Sequence, residues 1–271
     1  MQGRLSPLVD GRIQAFPTWH WRDEFQLAEG LGLRRMEWTL DHEGLHENPL
    51  LMSAGQAEIA RLADRHDLSI TSVTGDVFMQ APFFKVDGVV RRARLDDMAR
   101  VVDACLSMGI AYLVVPLVDN GSPDGPREQD VVSEALTWLL ARWRDEPFRL
   151  LFESDLPPDQ LRTFMDRFPD RGFGINLDIG NSAALGYATD IEVATLAPFI
   201  HNVHVKDRVL GGTTVPLGQG AADFPAVFAA LRQAGYGGQF ILQTARAADG
   251  DHIGALAGYR DQVRGWLMDA V

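Results

Sequence analysis

The stretch Leu150-Leu151-Phe152-Glu153-Ser154-Asp155-Leu156-Pro157-Pro158 passes from an apolar run to an acid and then into a proline-started helix. That is how a buried strand ends where a helix begins. Two more runs repeat the plan: Gly174-Ile175-Asn176-Leu177-Asp178 ends in a carboxylate, and Asn202-Val203-His204 ends in an imidazole. A fourth, Phe240-Ile241-Leu242-Gln243, ends in an amide. Residues so far apart in the chain meet if the strands are parallel and close into a barrel, because the C-terminal strand ends then surround one mouth.

Working outward, short β-type runs alternate with amphipathic stretches over nearly the whole chain. Strands are expected at Gly3–Leu5, Arg35–Trp38, Ser69–Val73, Ala111–Pro116, Phe148–Glu153, Gly174–Asp178, Asn202–Val205 and Gln239–Gln243. Helices are expected at about Arg22–Gly30, Ala54–His66, Val89–Met108, Gln129–Arg144, Pro158–Phe168, Ile191–Leu196, Phe224–Gln233 and Ile253–Met268. In the third of these Leu95, Met98, Val102 and Cys105 recur at steps of three and four, which lines one face for packing on a sheet. Gly32, Gly109 and Gly235 stand where a helix hands over to a strand and a left-handed cap is needed. The second strand and the fifth to seventh are apolar nearly throughout, as strands covered on both sides must be. A doubly wound open sheet shares the alternation, but no GxGxxG follows the first strand. Eight units in 271 residues favour a single-domain α/β fold over residues 1–271, a (β/α)8 TIM barrel.

Composition narrows the function. A hydrophobic fraction of 46% is enough for a sizeable core, so nothing points to disorder. The net charge of -12 repels polyanions and argues against nucleic acid. The single Cys105 excludes an internal disulfide and reads as a small buried apolar residue. No signal-peptide core or membrane-length apolar run is visible, so no membrane partner and a cytoplasmic location are expected. Pairing into a homodimer is compatible with the composition, though no strip marks an interface.

Glu153, Asp178 and His204 offer two hard oxygen ligands and one imidazole, which suits a divalent metal such as Mn(II), Co(II), Mg(II) or Zn(II). Asn202, His204 and Lys206 share one face of their strand by alternation. Such a centre suits chemistry next to a carbonyl: the metal holds two neighbouring oxygens, an enediolate forms, and Glu153 moves the adjacent proton as base. Asn181 follows Asp178 closely enough to enter the same cleft, although an Asx turn explains either residue alone. Lys206, Arg208 and Arg246, with the Gly211-Gly212-Thr213-Thr214 loop, are candidates for a substrate oxygen or phosphate; salt bridging to Asp207 and Asp249 is the alternative. Glu37 and Asp76 follow earlier strands and are candidates for substrate hydroxyls, and Asp207 joins the substrate-binding set. Trp19, Trp21 and Trp38 read as packing or a sugar platform, and Asp41–Glu47 as a solvated loop or lid.

Glu153, Asp178-Ile179-Gly180-Asn181, His204-Val205-Lys206-Asp207 and Leu217-Gly218-Gln219-Gly220 together resemble the sugar phosphate isomerase/epimerase family of the xylose isomerase-like TIM barrel superfamily. The resemblance spans essentially the whole chain. It implies a metal held by Glu153, Asp178, His204 and a fourth carboxylate after strand eight, where this chain has Gln243. Gln243 can ligate or orient but cannot carry a proton, which favours one carboxylate base over two and weakens the metal shell. Extra ligands of the DNA-repair branch are missing from Gly212–Pro216. The expected activity is metal-dependent isomerisation or epimerisation of a sugar or sugar phosphate. A lyase or dehydratase on a related hydroxycarbonyl substrate, or a sugar-binding relative without catalysis, are the alternatives.

Overall fold

A computed structural model describes residues 1–169 and 171–269. Seven strands lie parallel in chain order: β1 Arg35–Thr39, β2 Ser69–Thr74, β3 Tyr112–Leu117, β4 Arg149–Ser154, β5 Phe173–Asp178, β6 Ile200–Val205 and, after a two-residue hairpin pair β7 Asp207–Arg208 and β8 Thr214–Val215, β9 Gln239–Leu242. The eighth stave is only two residues long. Gln2 bridges Glu37 in parallel, Glu37 N donates to Met1 O at 2.8 Å, and Gln2 N donates to Leu242 O at 3.1 Å, which joins β1 to β9 and closes the ring.

The first strand therefore lies at Met1–Gln2 and not at Gly3–Leu5. Gly3 takes a φ of 40°, left-handed backbone that turns the chain out of the stave. Beyond the turn, Leu5 N and Ser6 N donate to Glu24 Oε1 at 3.1 and 2.9 Å instead of joining a ladder.

Helices α1 Asp23–Gly30, α2 Ser53–Arg65, α3 Asp76–Gln80, α4 Gly88–Ser107, α5 Pro126–Leu140, α6 Pro158–Met165, α7 Ile179–Leu185, α8 Thr189–Leu196, α9 Phe224–Gln233 and α10 His252–Asp269 connect the staves. The short α3 and α7 start at strand ends, too brief to show a helical period in sequence. In α4, Met98, Val101, Val102 and Cys105 are fully buried, as their spacing requires. Gly32, Gly109 and Gly235 all have left-handed φ at helix ends. Among the described residues no helix is long and apolar enough to cross a membrane.

Strand alternation divides two cores. Leu113, Val115, Leu150, Phe152, Ile175, Leu177, Val203 and Val205 join the apolar cluster with the helices. The alternate positions face inward, and many are polar yet buried: Gln2, Glu37, Ser72, Thr74, Glu153, Asn176, Asp178, Asn202, His204, Gln239 and Gln243. The strand ladder shifts register between Met36 and Glu37 and again between Ile175 and Asn176, just before two of these inward groups. Irregularities of that kind re-aim side chains.

Candidate metal centre

Glu153 is aimed by its neighbour. Phe152 packs outward between Phe164, Phe168 and Phe173, with ring centroids 5.5, 4.9 and 6.0 Å away, so the next residue of β4 points into the barrel. There Asn176 Nδ2 donates to Glu153 Oε2 at 2.7 Å and Asn181 Nδ2 donates to Oε1 at 2.8 Å. Burial alone raises the pKa of Glu153, but the close His204 ring and the charges of His204 and Lys206 outweigh it and hold the carboxyl below its ordinary range.

Asp178 ends β5 and caps α7. Its Oδ1 accepts from Asn181 N at 2.9 Å, the usual bond at a helix N-terminus, which leaves Oδ2 for another partner. Lys206 Nζ stands 2.7 Å from that Oδ2 and donates to Gln243 Oε1 at 2.8 Å. Burial dominates the balance at Asp178 and keeps its pKa above the ordinary value despite Lys206.

His204, wholly buried in β6, lies between acids. Its Nε2 is 2.7 Å from Glu37 Oε1; its Nδ1 is 3.1 Å from Glu153 Oε2 and 3.9 Å from Asp178 Oδ2. Burial disfavours the charged ring, but Glu37 and Glu153 push its pKa up to about 10, while burial of Glu37 is overcome by His204 and its pKa falls to about 2.

Glu153, Asp178 and His204 each offer a ligand atom, and these atoms all lie within 4.8 Å of one another. Asp178 Oδ2 and His204 Nδ1 are fully buried and make no hydrogen bond of acceptable geometry. Two buried atoms held only by ion-pair contacts, to Lys206 and Glu153, at the centre of a mixed carboxylate and imidazole set are what a hard or borderline divalent cation would take up. The residues present therefore fit such an ion. Gln243 adjoins the set, its Oε1 directed to Lys206.

The other expected site residues take different stations. Asn181 joins the centre through Glu153. Glu37 lies below the mouth, 1% exposed: Oε1 accepts from Thr74 Oγ1 at 2.5 Å and Gln2 Nε2 at 3.3 Å, and Oε2 from Ser72 Oγ at 2.7 Å and Asn202 Nδ2 at 3.1 Å. Its oxygens are taken by the protein, so it supports His204 from beneath. Asp207 is also fully buried and accepts from Gly218 N, Gly220 N and Ala222 N, which shapes the loop after β8. Arg208 donates to Gly212 O and Asn181 Oδ1. Arg246 donates to Gly3 O, Ser6 O and Ile13 O and so ties down the N-terminal segment.

Asp76 opens α3 and reaches the mouth, where Gln14 Nε2 donates to its Oδ2 at 2.6 Å. Burial, reinforced by Asp41 and Glu153, raises its pKa to about 7 against the opposing effects of Gln14 and Arg4. A cavity of about 400 Å³ meets the centre at Glu153, its one lining residue from the cluster, and is lined also by Asp76, Asn181, Lys206, Arg208, Thr214 and Gln243 among others. A larger recess of about 710 Å³ runs under residues 7–22 and 41–58 and contains none of Glu153, Asp178 or His204. Trp19 is exposed there, whereas Trp21 and Trp38 pack edge to face at 5.5 Å, so two of the three tryptophans are packing residues. Asp41, at the start of the expected lid, is buried and accepts from Phe16 N and Gln80 Nε2.

The polar layer of Gln2, Ser72, Asn176 and Gln239 carries no sequence motif. Its signal was the recurrence of small polar or amide residues at every second strand position, in register with the acids.

Comparison with known proteins agrees with this fold. The family model described as xylose isomerase-like TIM barrel matches residues 25–269. The L-ribulose-5-phosphate 3-epimerase UlaE of Escherichia coli O1:K1 / APEC is 24% identical over 264 residues, covering 92% of this chain and 91% of that protein. A xylose isomerase domain protein from Alicyclobacillus acidocaldarius subsp. acidocaldarius superposes with a TM-score of 0.76 at 15% identity, covering 99% of this chain and 97% of that one. A xylose isomerase-like TIM barrel protein from Mycobacterium smegmatis, solved in complex with magnesium, superposes with a TM-score of 0.69 at 18% identity, covering 96% and 92%. This chain belongs to the xylose isomerase-like TIM barrel family, with a sugar phosphate epimerase among its relatives.

Proposed function

We propose that the protein is a metal-dependent isomerase or epimerase of a sugar or sugar phosphate, with Glu153 as base and ligand and with Asp178 and His204 as ligands. The observation that carries this reading is the buried Glu153-Asp178-His204 cluster, whose ligand atoms lie within 4.8 Å of one another beside a cavity of about 400 Å³ that Glu153 lines. The full-length similarity to a ketose phosphate epimerase supports the substrate class.

When bound, a divalent ion supplies charge stabilisation to neighbouring sugar oxygens. Glu153 is kept ionised by His204 and oriented by Asn176 and Asn181, so it is ready to take a proton from the carbon beside the carbonyl. Lys206, at the cavity wall, stabilises negative charge developing on a substrate oxygen. Arg208 also lines the cavity and is better placed than Arg246 to meet a phosphate. The base in this scheme is a carboxylate that already exists at neutral pH, so no prior activation is required.

The test is a panel including L-ribulose 5-phosphate, L-ribulose and D-fructose, assayed with Mn(II), Mg(II) or Co(II), for wild type and Glu153→Gln. A new ketose or aldose isomer is expected from wild type, with turnover lost in Glu153→Gln while the melting transition is retained. Full activity in Glu153→Gln refutes the base assignment. Loss of water or carbon–carbon cleavage products would assign the site to a lyase instead.

A further inference from the structure

Inversion at a carbon through an enediolate removes a proton from one face and returns one to the other, so two proton carriers are the simplest arrangement. Gln243 cannot be one of them, because an amide does not exchange a proton with carbon at neutral pH. Asp76 has the position and the chemistry. It follows the third of eight staves, counting Met1–Gln2 as the first, whereas His204 lies on the seventh. In an eight-membered ring those staves face each other, while Glu153, at the end of the fifth, stands two staves from Asp76, and both carboxyls line the shared cavity.

The local chain is built to hold it there. A Cβ on Gly75 would sit 2.6 Å from the Phe78 ring and 3.1 Å from Val114 O, so the turn delivering Asp76 requires glycine. Asp76 is 3% exposed, yet no Lys, Arg or His lies within ion-pair distance of it among the described residues. Its Oδ2 is held by Gln14 Nε2, and its Oδ1 has no hydrogen-bond partner among them. A buried carboxyl without a paired cation keeps its proton toward neutral pH, which agrees with a pKa near 7.

We propose that Asp76 is the second proton-transferring group of this site, acting on the face of the substrate opposite Glu153. The proposal rests on the epimerase reading above. Glu153 takes the proton from the carbon beside the carbonyl; that C–H pair becomes the C=C bond of the enediolate, the carbonyl π pair moves to oxygen, and Glu153 becomes a carboxylic acid. The Asp76 acid then gives its proton to the same carbon from the other face. The C=C pair forms the new C–H bond, the carbonyl re-forms, and Asp76 is left as carboxylate. One proton leaves the substrate and one enters; exchange with water resets both groups, and the reverse reaction swaps their roles.

The two half-reactions separate in D2O. Metal-loaded protein is incubated with L-ribulose 5-phosphate and with D-fructose, and NMR follows deuterium entering the starting ketose and the epimer separately. Wild type should label both species, and Glu153→Gln neither. Asp76→Asn should still wash deuterium into the starting ketose while epimer formation falls about 100-fold or more. Should Asp76→Asn fail to fold, Gln14→Leu removes the bond that positions Asp76 and should depress inversion more than exchange. The Asp76 proposal is overturned if a folded Asp76→Asn epimerises at the wild-type rate, or loses exchange and inversion together. Absence of exchange and epimerisation in wild type with every ketose overturns the functional reading itself, a result visible before any substitution at position 76.

Discussion

Replacing Glu37 by Gln removes one charge from the floor of the site while keeping its shape. Four donors converge on the carboxylate, from Gln2, Ser72, Thr74 and Asn202, and His204 Nε2 lies 2.7 Å away. The hydroxyls of Ser72 and Thr74 can rotate to accept from an amide, but the NH2 groups of Gln2 and Asn202 cannot. Whichever way the new amide points, it loses a hydrogen bond as well as the ion pair. Neutralising one member of a buried pair costs about 3–5 kcal/mol. With about 2.1 cal/mol/K per residue of unfolding entropy, 1 kcal/mol in a chain of this length moves the midpoint by about 2 °C, so Glu37→Gln should melt about 6–10 °C below wild type. Melts run in EDTA remove any contribution from bound metal. Ser72→Ala, which deletes one donor, should fall by only about 2 °C under the same conditions. Because Glu37 at Nε2 leaves Nδ1 as the His204 nitrogen turned toward Glu153 and Asp178, Mn(II) affinity by calorimetry should drop about 10–100-fold in Glu37→Gln. A midpoint and an affinity both equal to wild type would refute the ion pair as the support of the metal-binding imidazole.

Three further outcomes follow from other parts of the fold. Glu192 is 7% exposed, accepts from Ser182 Oγ at 2.7 Å, and has its pKa raised by burial to about 7. A raised carboxyl stabilises the fold while protonated, and that contribution disappears as pH climbs from about 4.5 through 7; urea titrations at pH 5 and pH 8 should show Glu192→Gln losing about 3 kcal/mol less than wild type over the interval, and parallel losses would discount the buried acid. Asp207→Ala frees the three backbone N–H groups of Gly218, Gly220 and Ala222, so limited proteolysis should open the segment 209–222 first while the barrel's circular dichroism persists. Gln243→Glu places an anion beside Lys206 and Asp178 and should strengthen Mn(II) binding about tenfold; unchanged affinity would show that position 243 does not contribute to the metal shell.

That Glu153, Asp178 and His204 would meet was legible in sequence because each ends or nearly ends an apolar run, and a parallel barrel brings such ends together whatever their separation. Depth inside the barrel was harder to read. Glu37 lies two residues before the end of β1, so alternation gives it the interior face but cannot distinguish a mouth residue from one beneath His204; only neighbouring strand registers do that. The first stave was misplaced for a similar reason. Two residues carry no period, and it is the hydrogen bonds of Met1 and Gln2 to β1 and β9 that define them as a stave. Arg246 and Asp207 carry charges that suit a substrate, yet both are spent on backbone groups, a choice that depends on loop conformation and leaves no trace in spacing.

Polar satisfaction inside the barrel gives an argument for the site that is independent of any relative. Burying so many amides, hydroxyls and acids is costly unless each finds a partner, and most of the lower layer does: Asn202 Nδ2 donates to Asn176 Oδ1 at 2.8 Å, Gln239 Nε2 to Ser72 Oγ at 3.1 Å, and Gln2 Nε2 to Thr74 Oγ1 at 2.7 Å, with Asn202 Oδ1 left without a partner. One layer higher the accounting fails. Of seven buried side-chain atoms without a hydrogen bond among the described residues, three belong to Asp178 and His204, and these are held by ion-pair contacts alone, to Lys206, Glu37 and Glu153. Three buried carboxylates, Glu37, Glu153 and Asp178, also face only two cationic side chains, His204 and Lys206. Those atoms and the excess negative charge coincide next to Glu153, which lines the cavity. Packing defects alone would scatter such atoms through the core, whereas a cation placed between Glu153, Asp178 and His204 would answer both deficits at once.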